Sequence, residues 1–217
     1  VAASLPLFWL GRETKADGGD LHVSLRRIFR LVPHIMLLNF SYAAAVESFI
    51  AFFPLFGIHI GLGEARSLSL LTTFALGGVV LLLPLGWLAD HMQRHKLLLA
   101  CIVFTIIGFL ILPELVSHSV GGPAFAFVLG GVEGMIYTLG MVLLGQRFRG
   151  TELAAATVLY TGMWGAGTMI GPLIVGASMD VLGDQSMPYL IAMIYVIYLP
   201  VFLIARRRQS RIWPVES

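Results

Sequence analysis

The sequence predicts an all-α membrane protein of six transmembrane helices, and two observations carry that prediction. The chain is 58% hydrophobic and only 12% charged, with a mean hydropathy of +0.88. Soluble domains carry about 25% charge. Six apolar stretches are also each long enough to cross a hydrocarbon core of about 30 Å, which takes roughly 20 helical residues. They are far longer than the ~9–11 alternating residues of a membrane barrel strand.

Ahead of the six spans lies Val1 to Leu10, apolar but too short to span. No basic region precedes it, as a signal peptide would require. We expect it to be the end of a preceding transmembrane helix, with further spans upstream. Residues 11–30 form a polar connector holding Gly18-Gly19 and several charges. Residues 31–206 hold the six-helix bundle. Its spans run Pro33 to Ile60, Ser67 to Ala89, Leu97 to Ser117, Gly122 to Gln146, Leu153 to Met179, and Pro188 to Ala205. Residues 207–217 form a polar tail.

Charge placement sets the orientation. Of the 14 Lys and Arg residues, all but Arg66 fall on one side of this six-span arrangement. The positive-inside rule makes that side cytoplasmic, so connector and C-terminal tail both face the cytoplasm of a plasma (bacterial inner) membrane. A net charge of +2 gives no reason to invoke nucleic acid; these arginines read as topology signals in contact with membrane lipid. The single Cys101 excludes an intrachain disulfide. His34, His59 and His118 lie near span ends without metal-ligand spacing, and no cofactor or metal is expected.

The turn between the second and third spans reads Gly86-Trp87-Leu88-Ala89-Asp90-His91-Met92-Gln93-Arg94-His95-Lys96. Such a short charged segment must join adjacent antiparallel helices at the water boundary. It resembles the loop signature of the major facilitator superfamily, G-x-L-x-D-R-x-G-R-[RK]. Gly86, Leu88, Asp90 and Arg94 match it, whereas Gln93 replaces a glycine and His91 and His95 replace basic residues. The six spans, the basic connector and Gly171-Pro172 are similar to the C-terminal half of such a transporter. The resemblance implies half of a twelve-helix facilitator fold, completed by a missing N-terminal half of the same protein.

An internal repeat points the same way. Glu47 and Glu133 lie near the middles of spans one and four, Glu64 and Glu152 open spans two and five, and Gly86-x-x-x-Asp90 and Gly176-x-x-x-Asp180 close them. Two three-helix units follow, the second inverted because three is odd. Inverted triplets are a recurring plan of facilitator halves.

Asp90 and Asp180 each end a helix, where the dipole disfavours an acid, so each calls for a positive partner. We expect Asp90 to meet the start of span five with help from Arg149, and Asp180 to meet the start of span two at Arg66. The two would act as opposite gates; the family resemblance implies such a role for Asp90. Solvated loop acids are the alternative.

Two acids lie at mid-membrane depth. Charging Glu47 or Glu133 in lipid costs at least ~2.5–3.5 kcal/mol, and no Lys or Arg lies within a span to offset it. Such a group faces a watery cavity, stays protonated, or finds a partner elsewhere. A group that moves between those conditions suits proton coupling; a neutral Glu hydrogen-bonded between helices is the alternative. On span four, Gly130, Glu133, Gly134 and Tyr137 share one face, and Tyr137 lies one turn from Glu133 as a possible donor. On span five, Gly167-x-x-x-Gly171 permits close helix approach and Pro172 can kink the helix; packing alone is the alternative. Tyr160 and Trp164 are candidates for a cavity wall, with Asn39 and Tyr42 as weaker ones.

Three function classes remain. A secondary transporter, coupled to protons and moving a small-molecule substrate by alternating access, explains the spans, repeat, signature and acids together. An enzyme is disfavoured: there is no HExxH or GxSxG motif, and Cys101 has no histidine nearby in sequence. A non-transporting sensor, channel or scaffold on a transporter fold is the remaining alternative.

Overall fold

The computed structural model describes residues 24–212, with side chains described through Ala205. The expected helix end at 1–10, most of the connector, and the last residues of the tail lie outside the described residues. The described part is helical throughout: α1 (Leu25–Leu31), α2 (Pro33–His59), α3 (Glu64–Val80), α4 (Leu82–His91), α5 (Arg94–Leu115), α6 (Gly121–Arg147), α7 (Gly150–Leu182) and α8 (Met187–Ile212). A short 3-10 turn, Asp184–Ser186, precedes α8.

Five helices are long and apolar enough to cross a membrane, and α3 with α4 forms a sixth span bent by 42°. The break at Leu81 has a local cause. Pro84 has no N–H to donate to the carbonyl of Val80, and its ring crowds that carbonyl. Pro54, Pro113 and Pro172, by contrast, lie inside continuous helices. The span expected to end at Ala205 continues as α8 to Ile212, so the first part of the expected tail is helical. The expected charged loop shrinks to Met92 and Gln93, between the end of α4 and the start of α5.

Packing reveals the repeat. The closest pairings are α2 with α7 and α3 with α6; then come α2 with α8, α5 with α6, and α5 with α8. Exchange the first triplet (α2, α3–α4, α5) for the second (α6, α7, α8), and every span-to-span contact maps onto another. The α2–α7 seam becomes the α6–α3 seam, α2–α8 becomes α6–α5, and α2–α3 becomes α6–α7. Two inverted three-helix units therefore account for the bundle.

Glycine permits both principal seams. A Cβ on Gly130 would run into the backbone carbonyl of Phe74, and one on Gly77 into that of Phe127. On the equivalent seam, Gly167 faces Phe40 and Ala43, and Gly171 faces Ala44. Close helix approach without a membrane hydrophobic effect depends on small residues of this kind.

The contact pattern also corrects the gating pairs. Spans two and five are symmetry partners on opposite flanks, and neither α3 nor α4 touches α7. Asp90 is exposed and pairs weakly with Arg94, one turn on, at 3.7 Å; it does not meet the start of α7 or Arg149. Arg149 and Asp180 are both exposed. Arg66 does not meet Asp180. Its Nη2 donates to the carbonyls of Ser117 at 3.0 Å and His118 at 2.9 Å, with a longer contact to Val116 at 3.4 Å. Those carbonyls follow the end of α5, where a cation offsets the negative end of the helix. Arg66→Gln should therefore lower stability by about 1 kcal/mol. A thermal unfolding midpoint unchanged from the parent would contradict that role.

Candidate functional site

A cavity of about 660 Å³ opens between α2, α3, the start of α4, and α6. Its wall includes Tyr42 and Ile50 from α2, Phe74 and Gly78 from α3, and Gly130, Glu133, Gly134, Tyr137 and Thr138 from α6. The α6 residues fall on one face because they recur at three- and four-residue spacing. Helices α5, α7 and α8 contribute nothing to this wall.

Glu133 stands near the midpoint of α6 and is only 1% exposed. It borders the cavity, but its carboxylate reaches across the bundle to α8, where the Tyr195 hydroxyl donates to Oε2 at 2.6 Å. Tyr195 is fully buried. The other carboxylate oxygen, Oε1, is buried with no partner among the described residues, as is the Thr105 hydroxyl on α5. Tyr42 and Cys101 lie within electrostatic range of the same carboxylate. No ion pair formed by the described residues includes Glu133. One acid at mid-span depth is thus held by a single phenol and left half satisfied. A carboxylate in that condition is costly to keep charged, and binding a proton removes the charge.

The expected donor was Tyr137, one turn away on the same helix. The structure uses Tyr195 instead. The Tyr137 ring packs between those of Tyr42 and Tyr160, tilted by 39° and 49°, with centroids 5.6 Å from each. A phenol inside an otherwise apolar span needs a partner; that signal was present at Tyr195, and also at Tyr198, which donates to the His34 carbonyl at 3.0 Å.

The remaining candidates are placed as follows. Tyr160 is fully buried rather than on the cavity wall: its hydroxyl donates to the Tyr137 carbonyl at 3.0 Å, and its own carbonyl accepts from Asn39 Nδ2 at 2.6 Å. Asn39 is likewise buried. Together they tie α2, α6 and α7. Trp164 is partly exposed and contributes nothing to the wall. Glu47, near the midpoint of α2, is half-buried and also outside the wall. Gly86 has open space where a side chain would point. At the opposite end of the bundle, His59 pairs with Asp184 at 2.8 Å, tying the end of α2 to the turn before α8. No group of three or more His, Cys, Asp or Glu among the described residues could hold a metal.

The comparisons with known proteins agree on one family. A model described as Major Facilitator Superfamily matches residues 5–216. The chain is 25% identical over 181 residues to a Bacillus subtilis protein named uncharacterized MFS-type transporter YfkF, covering 83% of this chain and 46% of that one. It is 25% identical over 157 residues to an Escherichia fergusonii protein named uncharacterized MFS-type transporter YcaD, covering 72% of this chain and 40% of that one. The chain thus spans about half the length of the curated relatives it matches.

Proposed function

The chain belongs to the major facilitator superfamily, and from that premise we propose that it is one six-helix half of a proton-coupled secondary transporter. In this reading it moves a small solute across a plasma (bacterial inner) membrane by alternating access, with connector and C-terminus in the cytoplasm. A transporter, rather than an enzyme, is what the family and the relatives' names support.

The observation that carries the proton-coupling part is Glu133. It is buried at mid-span depth and borders the cavity, and among the described residues it has one acceptor oxygen without a partner and no cation paired to it. A carboxyl so placed is neutral at low cost and charged only at high cost. Rocking of the two halves around a midplane site would alter its exposure, and with it the ease of taking up or releasing a proton. Glu47, half-buried at similar depth, is a second candidate. Asp90 and Arg149, both exposed, remain available as gates toward the rest of the longer protein.

The test uses the full-length protein that contains this chain, reconstituted in vesicles with a panel of labelled solutes. Uptake should saturate, rise with an imposed pH gradient, and collapse when a protonophore is added. Flux that stays linear in solute concentration and ignores the protonophore would favour the channel alternative.

A further inference from the structure

The cavity wall offers few groups to a polar solute. Thr72 and Thr138 both border it, but each donates its hydroxyl proton to its own helix, Thr72 to the Leu68 carbonyl at 2.9 Å and Thr138 to the Gly134 carbonyl at 3.0 Å. The Glu133 carboxylate is turned toward Tyr195. Among the described residues no Lys or Arg borders the cavity. What remains is apolar surface such as Phe74 and the tilted ring pair of Tyr42 and Tyr137, whose two hydroxyls make no hydrogen bond among the described residues.

These features match two solute classes poorly at this wall. A sugar needs a dense set of free donors and acceptors, and sites built for hydroxyls show them. A phosphate or carboxylate needs a cation or a helix N-terminus aimed at it. Aromatic rings, by contrast, favour other rings by about 0.5–1.5 kcal/mol beyond burial, and a cation over a tyrosine face gains a similar amount. The volume suits a drug-sized molecule, whose sites run roughly 300–1,000 Å³.

We propose that the solute is a lipophilic aromatic compound, neutral or singly cationic, seated against the Tyr42–Tyr137 ring pair. This rests on the transporter reading and adds the substrate class to it. Tyr137 supplies the ring face, and the two threonines act only as shape.

The test offers the full-length protein in vesicles three probes: ethidium (a planar aromatic monocation), labelled methyl glucoside, and inorganic phosphate. Saturable flux of ethidium, absent from protein-free vesicles, is expected. Tyr137→Ala should weaken its half-saturation about tenfold, whereas Tyr137→Phe, which keeps the ring, should retain it. Saturable flux of glucoside or phosphate without ethidium would overturn the substrate class and leave the transporter reading standing. So would a tenfold loss in Tyr137→Phe, since that variant keeps the ring and removes only the hydroxyl. No saturable flux of any of the three, with saturable flux of another solute, would overturn the substrate class in the same way; no saturable flux across the whole panel would overturn the transporter reading and this inference with it.

Discussion

Glu133→Gln is expected to abolish uphill accumulation by the full-length protein while leaving solute exchange intact. Glutamine keeps the shape of the side chain, and its carbonyl can still accept from Tyr195, now bonded at 2.6 Å. Packing between α6 and α8 is therefore preserved, and what disappears is the titratable proton. The measurement is accumulation against a concentration gradient, beside counterflow between equal concentrations on the two sides. Loss of the first with retention of the second is the expected result. Accumulation that keeps its parental pH dependence would eliminate Glu133 as the coupling group and move attention to Glu47. Tyr195→Phe gives an intermediate case. It removes a hydrogen bond to a carboxylate, worth about 1.5–3 kcal/mol, so the pH profile should move without being lost.

Gly130→Val should have the larger effect on folding. Its Cβ would overlap the Phe74 carbonyl, and a helix backbone cannot step aside as a flexible side chain does. Overpacking ordinarily costs about 1–3 kcal/mol, and a backbone clash on the α3–α6 seam belongs at or above the top of that range. The readout lies within the chain. Cys101 is its single cysteine and is buried, so in the chain expressed alone a thiol-reactive dye reports unfolding on heating. Gly130→Val should react at much lower temperature than the parent, or fail to accumulate in the membrane. Gly162→Ala is the control, because nothing lies near the added methyl; its midpoint should match the parent. Equal midpoints for both variants would mean that the seam tolerates spreading.

The spans were legible because about 20 apolar residues in a row admit few other solutions in a chain this poor in charge. The repeat was legible through the positions of a few acids, and the helix contacts follow it. Which spans touch was not legible. The pairing of Asp180 with Arg66 assumed that spans two and five are neighbours, whereas the inverted arrangement sets them on opposite flanks. Arg66 looked free because its partners are backbone carbonyls, which no side-chain pattern reveals. Similarly, the α6 face of the cavity could be read from three-to-four spacing. The bond from Tyr195 joins residues 62 positions apart, and local periodicity carries no information about such a pair. Tyr160 and Asn39 looked like wall residues because polar groups in a span suggest a cavity; each had its partner inside the bundle instead.

Arg66 has one more consequence, for the end of the bundle where it lies. Its charge is turned onto the carbonyls after α5. The same end carries Glu64, Glu114, Asp180 and Asp184 at or near the ends of α3, α5, α7 and the following turn, with His59 set against Asp184. Among the described residues that end thus carries an excess of carboxylates, in contrast to the arginine-rich opposite end. The field of those carboxylates reaches about 8 Å into physiological saline, and it raises the local concentration of cations while repelling anions. Dilute salt should thus speed the capture of a cationic solute from that end, and concentrated salt should slow it, with no change in the cavity itself.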